Sequence, residues 1–322
     1  MNYNDLLDNF SEKKALIIGD SMIDMYMWGD INRMSPEAPV PVIDIAKYEK
    51  RLGGAANVAL NIKALGAEPI LCTVIGNDDK GKIFKDLMLK DGLSTDSVFI
   101  DNNRKTTTKT RVIANDKHQI RIDEEDTHYI DLEQKIIDFI KTQIKDIDVV
   151  ILEDYNKGVL TPKLIKKIIS ISNEENVPTI VDPKEKNFLE FKNCTVFKPN
   201  FNEIRIGMNI DLSNEDHDNL EKTTEELRKK LNANAIILTL SNKGMCINSK
   251  DYYLHYPSIT DNVIDVSGAG DTVISVSALC LASNIAFKEL AKISNVAGGI
   301  VCEEVGVVPI NKKALKNTLK AL

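Results

Sequence analysis

Short runs of aliphatic and β-branched residues alternate along this chain with longer segments of helical period, and that alternation limits the available folds more than any other feature. The runs are ALIIG (15–19), EPILCTVIG (68–76), DVVILE (148–153), VPTIVD (177–182), CTVFKPN (194–200) and AIILTL (235–240). They are brief and apolar on both faces, as strands are when both sides are covered. Segments 54–66, 80–92, 131–145, 161–175 and 214–231 carry the apolar stripe of amphipathic helices. Parallel strands need a long return crossover, and these helices supply it. The pattern predicts an α/β fold with a mostly parallel sheet, helices on both faces, and a ligand site at the carboxyl ends of the strands.

Two regions interrupt the rhythm. PVPVIDIAKYEKRL (39–52) and SVFIDNNRKTTTKTRVIANDKHQIRID (97–123) alternate polar with apolar residues, and Asn115–Asp116 is a hairpin signal. They predict extra antiparallel strands standing off the main sheet, with one side closing over a site and the other facing a second subunit. No internal repeat or long linker divides the chain. Residues 1–322 therefore read as one domain with a small β-lid at about 39–52 and 97–123.

Bulk properties narrow the function. A formal charge of −7 argues against a nucleic-acid surface, which normally carries a basic excess. Cys72, Cys194, Cys246, Cys280 and Cys302 are widely spaced without a CxxC pair, so free thiols in a reducing compartment are expected. The N-terminus has no apolar signal core, and the longest apolar stretch, Val273 to Phe287, is broken by four serines or asparagines. A cytoplasmic protein without a membrane span is expected.

The turn DVSGAGDTV (265–273) opens an apolar helical run and raises a question of charge. Backbone N–H groups of Gly268, Ala269 and Gly270 at a helix start attract phosphate, yet Asp271 stands among them. Acids favour a first helical turn for dipole reasons alone, so a capping reading and a catalytic reading both stand on this turn. A second glycine-rich entry, RLGGAANVALN (51–61), places Arg51, a Gly-Gly turn and Asn57 at another helix start. DPKEK (182–186) and KPNFNE (198–203) put carboxylates and an amide just beyond strands, oxygen ligands of the kind magnesium takes. GNDDKGKI (76–83) imitates a P-loop, but Ile83 replaces the metal-binding hydroxyl and Asp78 and Asp79 would crowd a phosphate, so a plain strand-to-helix turn is expected. No GxGxxG fingerprint follows a strand, which disfavours a dinucleotide-dependent dehydrogenase.

Together GDSMIDMYMWG (19–29), GGAANVA (53–59), the NxxE of Asn200 to Glu203 and DVSGAGDT (265–272) resemble the ribokinase-like (PfkB) family of sugar kinases, in order and spacing across nearly the whole chain. RMSPEAPVPV (33–42), DYNKG (154–158) and VDPK (181–184) further resemble the branch of that family that phosphorylates D-glycero-D-manno-heptose 7-phosphate at the anomeric oxygen. That step leads towards ADP-heptose for lipopolysaccharide cores. The branch is often fused to a nucleotidyltransferase, and a chain ending at Leu322 looks like the stand-alone form. Ser267 and Leu52 depart from the more usual threonine and proline without removing a group the chemistry needs.

The resemblance implies a ribokinase-like three-layer sandwich and roles for particular residues. Asp271 would be the base, with the N–H groups of Gly268, Ala269 and Gly270 neutralising the transferred phosphoryl group. Asn200 and Glu203 would organise magnesium, directly or through water. Asp24, Gly53, Gly54 and Asn57 would hold sugar hydroxyls, while Arg51, Lys109, Arg111 and Arg121 offer cations for a sugar phosphate. Lys157 and Lys184 would contact phosphate, and Thr239, Ser241, Gly244 and Asn295 would cradle ATP. Asp265 would order a monovalent cation such as potassium. A homodimer through the β-lid is implied, and a kinase for another sugar remains the alternative.

Overall fold

The computed structural model describes residues 3–115, 117–213, 216–260 and 262–321. In chain order its strands are β1 (Lys14–Gly19), β2 (Ser21–Met34), β3 (Pro41–Gly54), β4 (Glu68–Gly76), β5 (Val98–Asp101), β6 (Thr108–Ala114), β7 (Lys117–Glu124), β8 (Val149–Glu153), β9 (Thr179–Asp182), β10 (Val196–Phe197), β11 (Ala235–Thr239), β12 (Met245–Ser249) and β13 (Tyr253–Tyr256). The helices are α1 (Tyr3–Asn9), α2 (Ala55–Ala64), α3 (Asp79–Lys90), α4 (Glu133–Gln143), α5 (Pro162–Glu174), α6 (Phe201–Met208), α7 (His217–Leu231), α8 (Ala269–Ala282), α9 (Phe287–Cys302) and α10 (Lys312–Ala321). Among the described residues no helix is long and apolar enough to cross a membrane.

Nine strands form the large sheet in the order β13-β12-β11-β10-β9-β8-β1-β4-β5. Pairing is parallel from β5 through to β11, and only β12 and β13 run antiparallel. The expected burial on both faces follows from strand alternation. In β1, Ala15 and Ile17 enter the core beneath α2, α8 and α9, while Leu16 and Ile18 enter the one beneath α4, α5 and α7. Each fully buried Leu or Ile side chain among them contributes about 1.5–3 kcal/mol. Helix α8 is apolar nearly all round, and accordingly every residue from Asp271 to Ala282 is buried between the sheet, α2 and α9.

A second sheet has the order β3-β2-β6-β7. It springs from the carboxyl end of β1, because β2 starts two residues beyond Gly19 and β3 returns the chain to Gly54 at the start of α2. Here the structure corrects the sequence reading in two ways. Residues 98–101, expected in the small sheet, pair in parallel with β4 and form the edge of the large one. Strand β2 was not foreseen as a strand, since its burial changes from complete at Ser21–Asp24 to mostly exposed beyond Gly29, with bulges at Trp28/Gly29 and Ile31/Arg33. No single period runs through it. The hairpin between β6 and β7 is present, with Asn115 at φ 50; Asp116 lies outside the described residues.

Candidate functional site

Strand β1 has β4 on one side and β8 on the other, so the chain reverses its direction of travel across the sheet at β1/β8. Such a switch point opens a crevice at the carboxyl ends of the strands. Asp20 sits there, 1 % exposed, just past β1. One of its carboxylate oxygens accepts the N–H groups of Tyr155 and Lys157 at 2.9 Å, and the other accepts that of Val159 at 3.0 Å. Its backbone carbonyl accepts the N–H of Ala55 at 2.9 Å. One residue thus ties the loop after β8 to the Gly-Gly turn before α2.

Helix α8 points its N-terminus into this crevice. Gly268 caps it at φ 80, a left-handed conformation that glycine adopts without penalty. The N–H of Ala269 is taken by the Val266 carbonyl at 3.2 Å, contrary to expectation, while among the described residues the N–H groups of Gly268 and Gly270 make no hydrogen bond. Asp271 follows in the first turn, 5 % exposed. Its Oδ2 accepts from Asn57 Nδ2 at 2.6 Å and its Oδ1 from the Tyr155 hydroxyl at 2.9 Å. Burial pushes its carboxyl up to about 6, against the pull of those two donors and with help from the nearby Asp182. A carboxylate so placed is ionised at neutral pH yet basic enough to accept a proton.

Beside α8 lies a cluster of acids and lysines at the ends of β8, β9 and β10. Lys198 Nζ pairs with Asp182 Oδ2 at 2.7 Å, and Lys184 pairs with Glu203 and, at 3.7 Å, with Asp182. Burial alone would favour a neutral Lys184, but Asp182 and Glu203 outweigh it and hold the pKa above the usual lysine value. Asn200 and Glu203 form a reciprocal cap on α6: Glu203 Oε2 accepts the Asn200 N–H at 2.7 Å, and Asn200 Oδ1 accepts the Glu203 N–H at 2.9 Å. Among the described residues no three acidic, histidine or cysteine side chains are arranged to cage a metal. The donor chemistry still fits magnesium, which takes few protein oxygens and fills its shell with water and phosphate, and Glu203 keeps lone pairs beyond the two it uses.

On the side of the small sheet, Gly53 and Gly54 pair with Met22 and Ser21 across β2/β3. A Cβ on Gly53 would stand 2.2 Å from Asp24 Oδ2, so only glycine lets that carboxylate sit against the turn. Asp24 forms an ion pair with Arg111. Arg51 and Arg111 flank the Tyr26 ring at 5.2 and 5.3 Å, and Arg51 is anchored by Glu49 at 2.6 Å and the Val307 carbonyl at 3.0 Å. The other expected phosphate cations are also paired: Lys109 with Asp123 (3.3 Å) and Glu125 (3.6 Å), Arg121 with Asp123 (2.9 Å), and Lys157 with Glu125 (2.8 Å). The small sheet therefore presents less free positive charge than its sequence suggests. A cavity of about 420 Å³ opens beside Asn57, lined among others by Lys50, Arg51 and Lys90.

Of the residues expected to cradle nucleotide, Thr239 bridges to Asn200 at the ends of β11 and β10. Ser241 and Gly244, at φ 57 and φ 84, bound the short turn that follows. Asn295 on α9 donates to the Pro257 carbonyl at 2.8 Å. Asp265 accepts from the N–H groups of Ser267 and Gly306, each at 2.9 Å; these hold its carboxyl below the usual range although burial opposes them. The P-loop-like stretch is a plain turn, with Asp78 capping α3 through the Gly81 N–H at 2.7 Å and Lys82 paired to Asp79 at 2.9 Å.

Sequence reasoning missed Asp20, Glu153, Tyr155 and Lys198. The available signal was positional, since each stands at or just past the end of a parallel strand. Glu153 is fully buried, and among the described residues neither carboxyl oxygen has a hydrogen-bond partner. Burial, then the charges of Asp182 and Asp271, push its pKa well above the usual value.

The crevice thus holds a buried carboxylate at the glycine-rich start of a helix, facing the switch point of a parallel sheet beside a small second sheet. Residues 12–314 match the pfkB family of carbohydrate kinases, and the chain belongs to that family. It is a sugar kinase. Its sequence is similar to that of the bifunctional protein HldE of Helicobacter pylori strain J99, 40 % identical over 296 residues that make up 91 % of this chain and 64 % of the relative. It is also similar to HldE of Geotalea uraniireducens strain Rf4, 37 % identical over 303 residues, 93 % of this chain and 61 % of the relative. The chain thus spans less than two thirds of the length of these relatives. Its fold is ribokinase-like: it resembles phosphofructokinase-2 of Escherichia coli in complex with potassium (TM-score 0.79, 16 % identity, 96 % of this chain and 98 % of that one). It also resembles ribokinase of Arabidopsis thaliana with ribose and ATP (TM-score 0.74, 17 % identity, the same coverage).

Proposed function

We propose that this chain is an ATP-dependent kinase that phosphorylates the anomeric hydroxyl of D-glycero-D-manno-heptose 7-phosphate, giving the 1,7-bisphosphate on the way to ADP-heptose and lipopolysaccharide cores. The observation that carries the reading is Asp271, a buried carboxylate with its pKa near 6, held by Asn57 and Tyr155 beside the two free N–H groups of the α8 turn. The heptose assignment draws on the similarity to HldE over more than nine tenths of the chain. The cavity beside Asn57 sets Lys50, Arg51 and Lys90 beside Asp91 on an otherwise mostly apolar wall, and these are the cations it would offer a substrate phosphate.

In the proposed step Asp271 takes the proton of the anomeric hydroxyl as that oxygen attacks the γ-phosphorus of ATP. The bond from the γ-phosphorus to the bridging oxygen breaks, and ADP leaves with the electron pair. Gly268 and Gly270 N–H groups stabilise charge on the transferring group, in keeping with phosphoryl transfer as a matter of positioning and electrostatics. Asn200 and Glu203 would hold magnesium through water; bound with the nucleotide, the ion neutralises phosphate charge. Asp24, the Gly53–Gly54 turn and Asn57 orient the sugar, Lys184 and Lys157 contact phosphate, and Thr239, Ser241, Gly244 and Asn295 cradle ATP. Asp265 orders the turn and would border a potassium ion. The whole chain acts as one kinase unit with the small sheet as its lid. The exposed Ile120 and Ile122 on β7 support a homodimer through that sheet.

ADP release with heptose 7-phosphate, beside a panel of other sugar phosphates and neutral pentoses, tests the substrate. Asp271→Asn should lose about two to four decades in rate while still binding nucleotide. Full turnover of a neutral pentose with none of the heptose phosphate would overturn the substrate assignment, and an undiminished Asp271→Asn rate would overturn the mechanism.

A further inference from the structure

We infer that Tyr155 is a positioning residue for phosphoryl transfer: its hydroxyl, opposite the amide of Asn57, holds the Asp271 carboxylate in one orientation and favours its ionised form. The inference rests on the reading of Asp271 as the base, and it adds a residue that neither the motif nor the family resemblance assigned.

Four observations support it. The two carboxylate oxygens of Asp271 are shared out, Oδ1 to Tyr155 and Oδ2 to Asn57, which leaves each an acceptor site for the proton of a substrate hydroxyl. Both donors come from segments fixed by Asp20, whose carboxylate takes three N–H groups of the loop carrying Tyr155 and whose carbonyl takes the first N–H of the helix carrying Asn57. The same loop is pinned again by Asp154, which accepts the N–H of Asn156 at 2.8 Å and Nδ2 of Asn187 at 3.2 Å. Finally, the Tyr155 hydroxyl keeps its proton: its enclosure, then the neighbouring charges of Asp271, Glu153 and Asp182, push its pKa well above the usual tyrosine value. Towards the ionised Asp271 carboxylate it can only donate.

The groups that face Asp271 are few and come from separate elements. Asn57 approaches from α2, Tyr155 and Glu153 from β8 and its loop, Asp182 from β9, and Lys198 from just beyond β10. Lys184 lies 5.2 Å from the centre of the Tyr155 ring and is paired with Glu203 and Asp182. Of these, only Asn57 and Tyr155 donate a hydrogen bond to Asp271. A donor to the charged form lowers the proton affinity of a carboxylate, so its removal raises it.

Tyr155→Phe keeps the ring and deletes only that donor. The acid limb of kcat/KM, set by Asp271 near pH 6 in the wild type, should move up by about one pH unit. Near pH 6 the variant should be about fivefold slower than the wild type, and above about pH 8 nearly equal to it. A tyrosine that serves only packing would slow the reaction by one factor at every pH. The carboxylic C=O band of protonated Asp271 in difference infrared spectra, assigned by its loss in Asp271→Asn, should titrate to the same higher midpoint without any turnover. Asp20→Asn, which loosens the loop but keeps the hydroxyl, should move that midpoint the same way by less. An unmoved midpoint in folded, nucleotide-binding Tyr155→Phe overturns the inference. If the wild type phosphorylates no sugar phosphate, the kinase reading of this site falls instead, and the infrared titration still decides whether Tyr155 governs Asp271.

Discussion

Replacing Glu153 by glutamine should stabilise the protein at neutral pH and change little in acid. The side chain is fully buried at the carboxyl end of β8, and among the described residues both its oxygens are without a partner. Burial first, then Asp182 and Asp271, raise its pKa well above 4.5. An acid held protonated in the folded state but free to ionise in the unfolded chain is neutral for stability below its unfolded pKa. It grows steadily more unfavourable as pH rises above that value. The slope is at most about 1.4 kcal/mol per pH unit for one proton, so from about pH 5 to about pH 7 the wild type loses up to about 3 kcal/mol against a variant that cannot ionise there. Glutamine matches the shape of the protonated acid and costs a similar amount to bury, so the two proteins should converge at the acid end. Urea unfolding of both at several pH values in that range measures the gap directly. A gap that stays constant with pH, or that narrows as pH rises, would refute the reasoning and mean that burial does not hold the Glu153 carboxyl protonated.

Gly53→Ala should cost about 1–3 kcal/mol, because the added Cβ meets Asp24 Oδ2 at 2.2 Å and must displace the Asp24–Arg111 pair. Melting temperature should fall, and KM for the sugar should rise with nucleotide affinity unchanged; an unaltered KM would remove Asp24 from the sugar site. Asn200→Ala deletes the acceptor of the Glu203 N–H and should lower stability by about 1 kcal/mol, the usual cost of a lost N-cap. Its magnesium requirement in turnover should shift to higher concentration, whereas a purely structural cap would change the melt alone.

The large sheet was legible because its strands are apolar on both faces and its helices amphipathic, two periods that do not imitate each other. β12 and β13 escaped notice because Cys246, Ile247 and Leu254 sit in short runs of mixed polarity whose order comes from neighbouring strands. The site was half legible. Asp271, Asn57, Asn200 and Glu203 stand in glycine-rich or capping patterns that the chain advertises locally. Tyr155 and Asp20 stand in no such pattern, and their importance exists only once β8 lies beside β1. The cations of the small sheet misled for the opposite reason. Lys109 and Arg111 face acids on adjoining strands and Arg121 one two residues along its own, and residue identity alone does not show which charges cancel.

The span of the Asp20, Tyr155 and Asp271 contacts bears on how the enzyme comes into being. Asp20 and Tyr155 are 135 residues apart and Tyr155 and Asp271 a further 116, so the three groups meet only after most of the polypeptide has been synthesised and threaded into place. Contacts of such long sequence separation form slowly, and a local opening of any one of the three segments dissolves the arrangement. Regain of turnover during refolding should therefore be the last signal to recover, later than secondary structure. The proposed catalytic geometry therefore belongs to the assembled fold and to no single one of these segments.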